Sequence, residues 1–127
     1  MNYYYKKEVS RSFQDAVEKT KVELLNEGFG VLTEIDVKAT FKKKLDKEYG
    51  NYVILGACNP PFAYQALTFE KDIGLLLPCN VLVYEEDDKV FVSAILPTVA
   101  MNMAQNRSIA ELALLVEGKL KKAVDAV

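Results

Sequence analysis

Polar and apolar positions alternate loosely from Asn2 to Val9, a stretch that includes Tyr3, Tyr4 and Tyr5, and this predicts a first strand. The period then changes. Phe13, Val17, Thr20, Leu24 and Leu25 recur at helical spacing. Ser10 or Ser12 offers the N-cap, Ser12-Phe13-Gln14-Asp15 resembles a capping box with Asp in place of Glu, and Gly28 suits the C′ position. The segment therefore predicts a helix of about four turns. Phe29–Ile35 reads as a second strand, followed by a short helix capped by Asp36 and running to Leu45 with Phe41 and Leu45 inward. The unbroken apolar run Tyr52–Cys58 predicts a strand buried on both faces. Asn59 before Pro60 predicts an N-cap with proline at the first helical position, opening a helix that buries Phe62 and Ala66 with Leu67 or Phe69.

The second half contains a predicted hairpin, Leu75–Tyr84 and Val90–Leu96, joined by the acidic turn Glu85–Lys89. Pro78 implies an irregularity or unpaired edge in the first of these strands. Pro97 ends the second, and Ala100–Met103 suits a helical turn. The last helix is predicted from the capping box Ser108-Ile109-Ala110-Glu111, with Ile109, Leu112, Leu115 or Val116, Leu120 and Val124 on one face. The order is β-α-β-α-β-α-β-β-α without a linker or repeat. That predicts one α+β domain over residues 1–127, a mostly antiparallel sheet covered by helices on one face.

Composition removes chemistries more than it adds them. The chain has no histidine, which excludes Ser-His-Asp and Cys-His nucleophilic systems and every His-containing zinc site. With 16 Lys+Arg against 18 Asp+Glu the net charge is -2, so the basic excess that nucleic-acid binding needs is lacking. No apolar run reaches the roughly 18 residues of a membrane span. The Met1–Lys7 segment has no apolar stretch after its charges and does not read as a signal peptide. Two cysteines in such a chain are expected reduced, and the expected location is cytoplasmic.

The candidate chemistry gathers at two Cys-Asn steps, Cys58-Asn59 and Cys79-Asn80. Cys58 precedes a helix start, where dipole and free N–H groups favour a thiolate. Cys79 follows the Pro78 irregularity. Spacing leaves two readings open: both thiols are small buried hydrophobes, or they form a redox pair or hold one soft metal ion. Asn59 and Asn80 are either polar ligand contacts or, for Asn59, a helix cap and, for Asn80, the donor or acceptor of a local side-chain-to-backbone bond. Lys42-Lys43-Lys44 reads as a solvated helix face and Glu85–Asp88 as a solubilising turn. Met101 and Met103 suit core gap-filling, and among Tyr3, Tyr4 and Tyr5 at least one is expected exposed.

Ser12-Phe13, Glu27-Gly28-Phe29-Gly30-Val31-Leu32, Ile54–Pro60 and Ile73–Val81 together resemble the domain-of-unknown-function family 302. The resemblance covers nearly the whole chain. It implies a β-α-β4-α fold of the TATA-binding-protein-like type, a homodimer, and a characteristic motif comprising Cys58, Asn59, Pro60, Pro78, Cys79 and Asn80. It implies no reaction and names no cofactor. The functional expectation is a cytoplasmic homodimeric module that senses a small ligand, a soft metal or redox state through Cys58 and Cys79, without nucleic-acid or membrane partners. The alternatives are a thiol-dependent enzyme with Cys58 as nucleophile and a purely structural or interaction domain.

Overall fold

The structure, a computed structural model, describes residues 2–127. Five strands, β1 (Tyr4–Val9), β2 (Gly30–Asp36), β3 (Tyr52–Cys58), β4 (Cys79–Glu86) and β5 (Lys89–Ile95), form one antiparallel sheet in the order β1-β5-β4-β3-β2. Helices α1 (Phe13–Asn26), α2 (Val37–Leu45), α3 (Pro60–Phe69), α4 (Pro97–Ala100) and α5 (Arg107–Ala126) occupy the connections and the C-terminal segment. Once α2, α3 and α4 are treated as insertions the order is β-α-β4-α.

The two-residue period of the central strands decides what each face becomes. Across β3, β4 and β5 the rungs Leu55–Val81–Ala94 and Val53–Val83–Val92 point to the helix side and are buried. Against them pack Ala16, Val17, Thr20 and Leu24 of α1 and Val116, Leu120, Ala123 and Val124 of α5. Fully burying one such Leu or Val contributes about 1.5–3 kcal/mol relative to leaving it in water. A second apolar cluster, Ala66, Ile73, Met101, Ile109, Leu112 and Ala113, fills the space between α3, α4 and the first half of α5. The opposite rungs, Tyr52–Tyr84–Phe91 and Ile54–Leu82–Ser93–Lys6, belong to the face that α1 and α5 leave open.

Several local expectations hold at atomic detail. The Ser12 hydroxyl accepts from the Asp15 N–H at 3.1 Å, and the Asp36 carboxylate accepts from the Ala39 N–H at 2.9 Å. Gly28 has φ +89°, the left-handed conformation that ends α1. The hairpin between β4 and β5 is present, but with a shorter turn than the expected Glu85–Lys89: Glu85, Glu86 and Lys89 pair within the strands, and only Asp87 and Asp88 turn, both at positive φ as a type I′ turn requires.

Other expectations are corrected. β3 is not buried on both faces throughout: burial alternates over Tyr52–Leu55, where helices cover only one side, whereas Gly56 on the open side is buried beneath Thr33 and Pro78. β4 begins at Cys79 and not at Leu75. Lys71–Leu76 is a 3-10 helix, and Pro78 follows a cis peptide bond and lacks the N–H that ladder pairing would use. α5 is capped by Asn106 and not by Ser108; the Asn106 Oδ1 accepts from the Ile109 N–H at 3.2 Å. Asn106 wins because its Nδ2 can at the same time donate to Glu70 Oε1 at 3.2 Å. In α2 no residue is buried, and Leu45 is exposed while Phe41 rests edge-on against Tyr49. Leu25, Leu67, Phe69 and Met103 are exposed as well, while of the pair Leu115 and Val116 it is Val116 that turns inward.

Candidate functional site

Cys58 and Cys79 end adjacent antiparallel strands at the same end of the sheet. Ala57 lies opposite Cys79 in the register, so Cys58 stands one position beyond the last rung shared by β3 and β4, while pairing with Gly30 of β2 on its other side. Both are free thiols; Cys58 is half-buried and Cys79 buried. They line one pocket of about 270 Å³. α3 contributes Phe62, Ala63 and Ala66 to its wall, α5 contributes Leu112, Ala113 and Val116, and Pro78 and Met101 complete the lining between them. Leu32, at the bulge between Val31 and Thr33 in β2, stands at its exposed rim.

The pocket exists because small residues occupy helical positions where large ones would close it. Ala63, Ala66 and Ala113 fall on facing stripes of α3 and α5 and withdraw side-chain volume from between them. Its electrostatics follow from that lining. Removal from water pushes the Cys79 thiol up, with the nearby Cys58 sulfur adding to the rise, to about 11. At neutral pH Cys79 is therefore a protonated, weakly polar group in an apolar wall, not a thiolate. Among the described residues no group of three or more Cys, Asp or Glu side chains is placed to hold a metal ion.

The asparagines part company. Asn59, buried, is the residue before α3, but its side chain does not cap that helix. Instead its Nδ2 donates to the Glu27 carbonyl at 3.2 Å and lies close over Gly28, tying the end of α1 to the start of α3 beside the pocket. Asn80 sits opposite Gly56, exposed on the other face of the sheet, and does not line the pocket. Gly56 itself has a specific task. A Cβ there would run into the Thr33 hydroxyl and approach Pro78 Cγ to 2.9 Å, so its absence lets the Pro78 ring lie on the sheet and deliver Cys79 into β4.

Of the four residues singled out from the sequence, the structure brings Cys58, Asn59 and Cys79 to one pocket and places Asn80 elsewhere. The residues that shape the pocket were missed: Phe62, Ala63, Ala66, Ala113 and Val116. The only signal available was alanine where the apolar stripes of two helices call for larger side chains.

A five-stranded antiparallel sheet backed by two long helices, with an apolar pocket at the sheet end, defines a small α+β domain. The chain belongs to the family described as domain of unknown function DUF302, whose sequence profile matches residues 5–127. It is similar to a solved structure, the uncharacterized conserved protein DUF302 from Bacillus stearothermophilus, with a TM-score of 0.94 and 28% sequence identity over 99% of this chain and 98% of that one. No curated protein matches it significantly.

Proposed function

We propose that the protein is a binding module that takes a small, uncharged, largely apolar molecule into the pocket walled by Cys58 and Cys79. The observation that carries this reading is the pocket's lining: aliphatic and aromatic side chains, two thiols and one asparagine already committed to a backbone carbonyl. A volume of about 270 Å³ lies just below the range usual for drug-sized ligands, so the occupant is a molecule of modest size. The two thiols are joined by no third Cys, Asp or Glu among the described residues, which favours a neutral partner over a soft cation.

The same reading places the module in a reducing, cytoplasmic setting, in keeping with its free thiols. It also has the module work as a homodimer, supported by the exposed Tyr64, Phe69 and Leu75 of α3 and the following turn. A sedimentation measurement giving a monomer at micromolar concentration would remove the dimer from it.

Titration with toluene, followed by NMR, tests the pocket. Shifts confined to Phe62, Ala66, Ala113 and Val116, and lost in a folded Ala66→Leu variant that fills the space, are the expected result. Toluene leaving these resonances unmoved would overturn the reading. Cadmium titration separates it from the soft-metal alternative: a thiolate-to-metal absorption band at pH 7 that disappears in Cys79→Ala would favour the metal.

A further inference from the structure

The open face of the sheet carries a second concavity that shares no residue with the first. It encloses about 550 Å³, and five of the chain's seven tyrosines, Tyr3, Tyr4, Tyr49, Tyr52 and Tyr84, line it. The strand register produces this concentration. Tyr52 of β3, Tyr84 of β4 and Phe91 of β5 occupy one rung, so their rings follow one another across the sheet. Tyr52 and Tyr84 stack at 5.3 Å between ring centres with an interplanar angle of 18°, and Phe91 continues the row at 5.4 Å. Tyr49 tilts against Tyr52 at 6.2 Å.

One cation stands in the middle of these rings. Lys6, on the neighbouring rung, holds its Nζ 4.8 Å from the centre of Phe91 and 5.6 Å from those of Tyr84 and Tyr4, and donates to the Tyr84 hydroxyl at 3.0 Å. Among the described residues Lys6 has no carboxylate ion-pair partner. Ser93, directly beside Lys6 in the register and only 6% exposed, lines the floor with Leu82. The arrangement offers the edges of a stacked aromatic row, one positioned ammonium with no carboxylate within ion-pair distance and with Glu86 acting on it from further off, and the Ser93 side chain beside that ammonium.

We propose that this cleft is a second binding site and that it takes a small planar aromatic monocarboxylate, the face of its ring meeting the edges of Tyr52 and Tyr84 and the carboxylate meeting Lys6 Nζ. Edge-to-face contact suits a ring of any substitution pattern, whereas a charge-assisted hydrogen bond selects the acid. The rim limits the charge. Glu85 accepts from the Asn51 Nδ2 at 2.7 Å and Glu86, on the same strand, is exposed; their charge opposes any anion and a dianion more strongly than a monoanion, so a single carboxylate that Lys6 can match is favoured over phosphate-bearing aromatics such as nucleotides. The site is independent of the apolar pocket, and its failure would leave that reading untouched.

The absence of tryptophan from the chain makes an indole probe directly visible. Indole-3-carboxylate, its neutral twin indole-3-carboxamide and adenosine monophosphate are titrated against the full chain by fluorescence anisotropy and competition. The carboxylate binds at least about tenfold more tightly than the carboxamide, and the nucleotide does not displace it. Lys6→Met, at an exposed position, removes the preference for the acid while the ring still binds. Tyr84→Phe, which keeps the ring and loses the phenol that holds Lys6, reduces the preference by a smaller factor. Ala66→Leu, in the other pocket, changes nothing. Equal affinity for acid and amide, displacement by the nucleotide, a preference that survives Lys6→Met, or loss of binding in Ala66→Leu would each overturn the proposal.

Discussion

The two faces of this sheet are made by the same strands and differ in almost every physical respect. On one side, rungs of Val, Leu and Ala meet two helices and exclude water, and a thiol at their end is held protonated well above neutral pH. On the other, tyrosines and a lysine from the same strands stand in partial contact with solvent, with rings stacked on each other and an ammonium over them. One position along a strand separates the two regimes. The difference teaches that opposite parities of one sequence build a dry, packed layer and a half-wet aromatic one, with the apolar pocket at the sheet end between α3 and α5.

Neighbouring residues of β3 give the largest test of that contrast. Leu55→Ala, on the helix side, is expected to destabilise by about 2–5 kcal/mol, because the fully buried site cannot collapse. Ile54→Ala, one residue away on the open side and half-buried, is expected to cost less than half as much. Urea unfolding of both variants checks this, and similar values would mean that the open face is also a packed interior, as in a tightly closed dimer.

Alkaline titration comes next. In the unfolded chain the Cys79 thiol ionises from about pH 9, and in the folded protein it keeps its proton until about 11. The unfolded state therefore releases a proton that the native state retains, and stability falls as pH rises from 9 to 11, by about 2–3 kcal/mol. Cys79→Ala flattens that part of the curve. Tyr52, also raised, chiefly by burial and then by its tyrosine neighbours, adds loss in the same direction above pH 10 from the open face. Comparing Tyr52→Phe with Cys79→Ala assigns each portion to its side of the sheet.

Smaller effects separate the asparagines. Asn59→Ala leaves the Glu27 carbonyl without its donor and is expected to cost about 1–2 kcal/mol in chemical unfolding. Asn80→Ala, exposed on the other face, is expected to stay within about 0.5 kcal/mol. The smallest effect is kinetic: iodoacetamide at pH 7.5 should modify Cys58 before Cys79, by at least about tenfold, since Cys79 is both shielded and protonated. A hundredfold faster Cys58 than a free thiol would instead point to an activated nucleophile.

Much of the architecture was legible because period and punctuation agree. The caps at Ser12 and Asp36, the Gly28 stop and the two-strand hairpin are local events, written in residues within a few positions of one another. The errors lie where a distant group decides. Ser108 has every property of a cap, yet Asn106 is used because Glu70, far off in the chain, engages its other end. Asn59 looked like a cap and became a strap because α1 ends beside it. The pocket was half visible: the cysteines marked its strand end, but its helical walls depend on how alanines of α3 and α5 face each other. The aromatic row was invisible, since Tyr52, Tyr84 and Phe91 become neighbours only through register.

The position of β1 at the sheet edge has a consequence for how the molecule comes to exist. Its only partner, β5, lies roughly eighty to ninety positions further along the chain. During synthesis the tyrosine-rich first strand must wait, unpaired, until most of the domain has been made, and closing so long a loop is slow. An exposed strand of that composition is a template for association with other nascent chains. Lys6, Lys7 and Glu8 interrupt it with charge through that interval. The lysine that later stands over the rings of the finished sheet thus serves first as a guard against premature company.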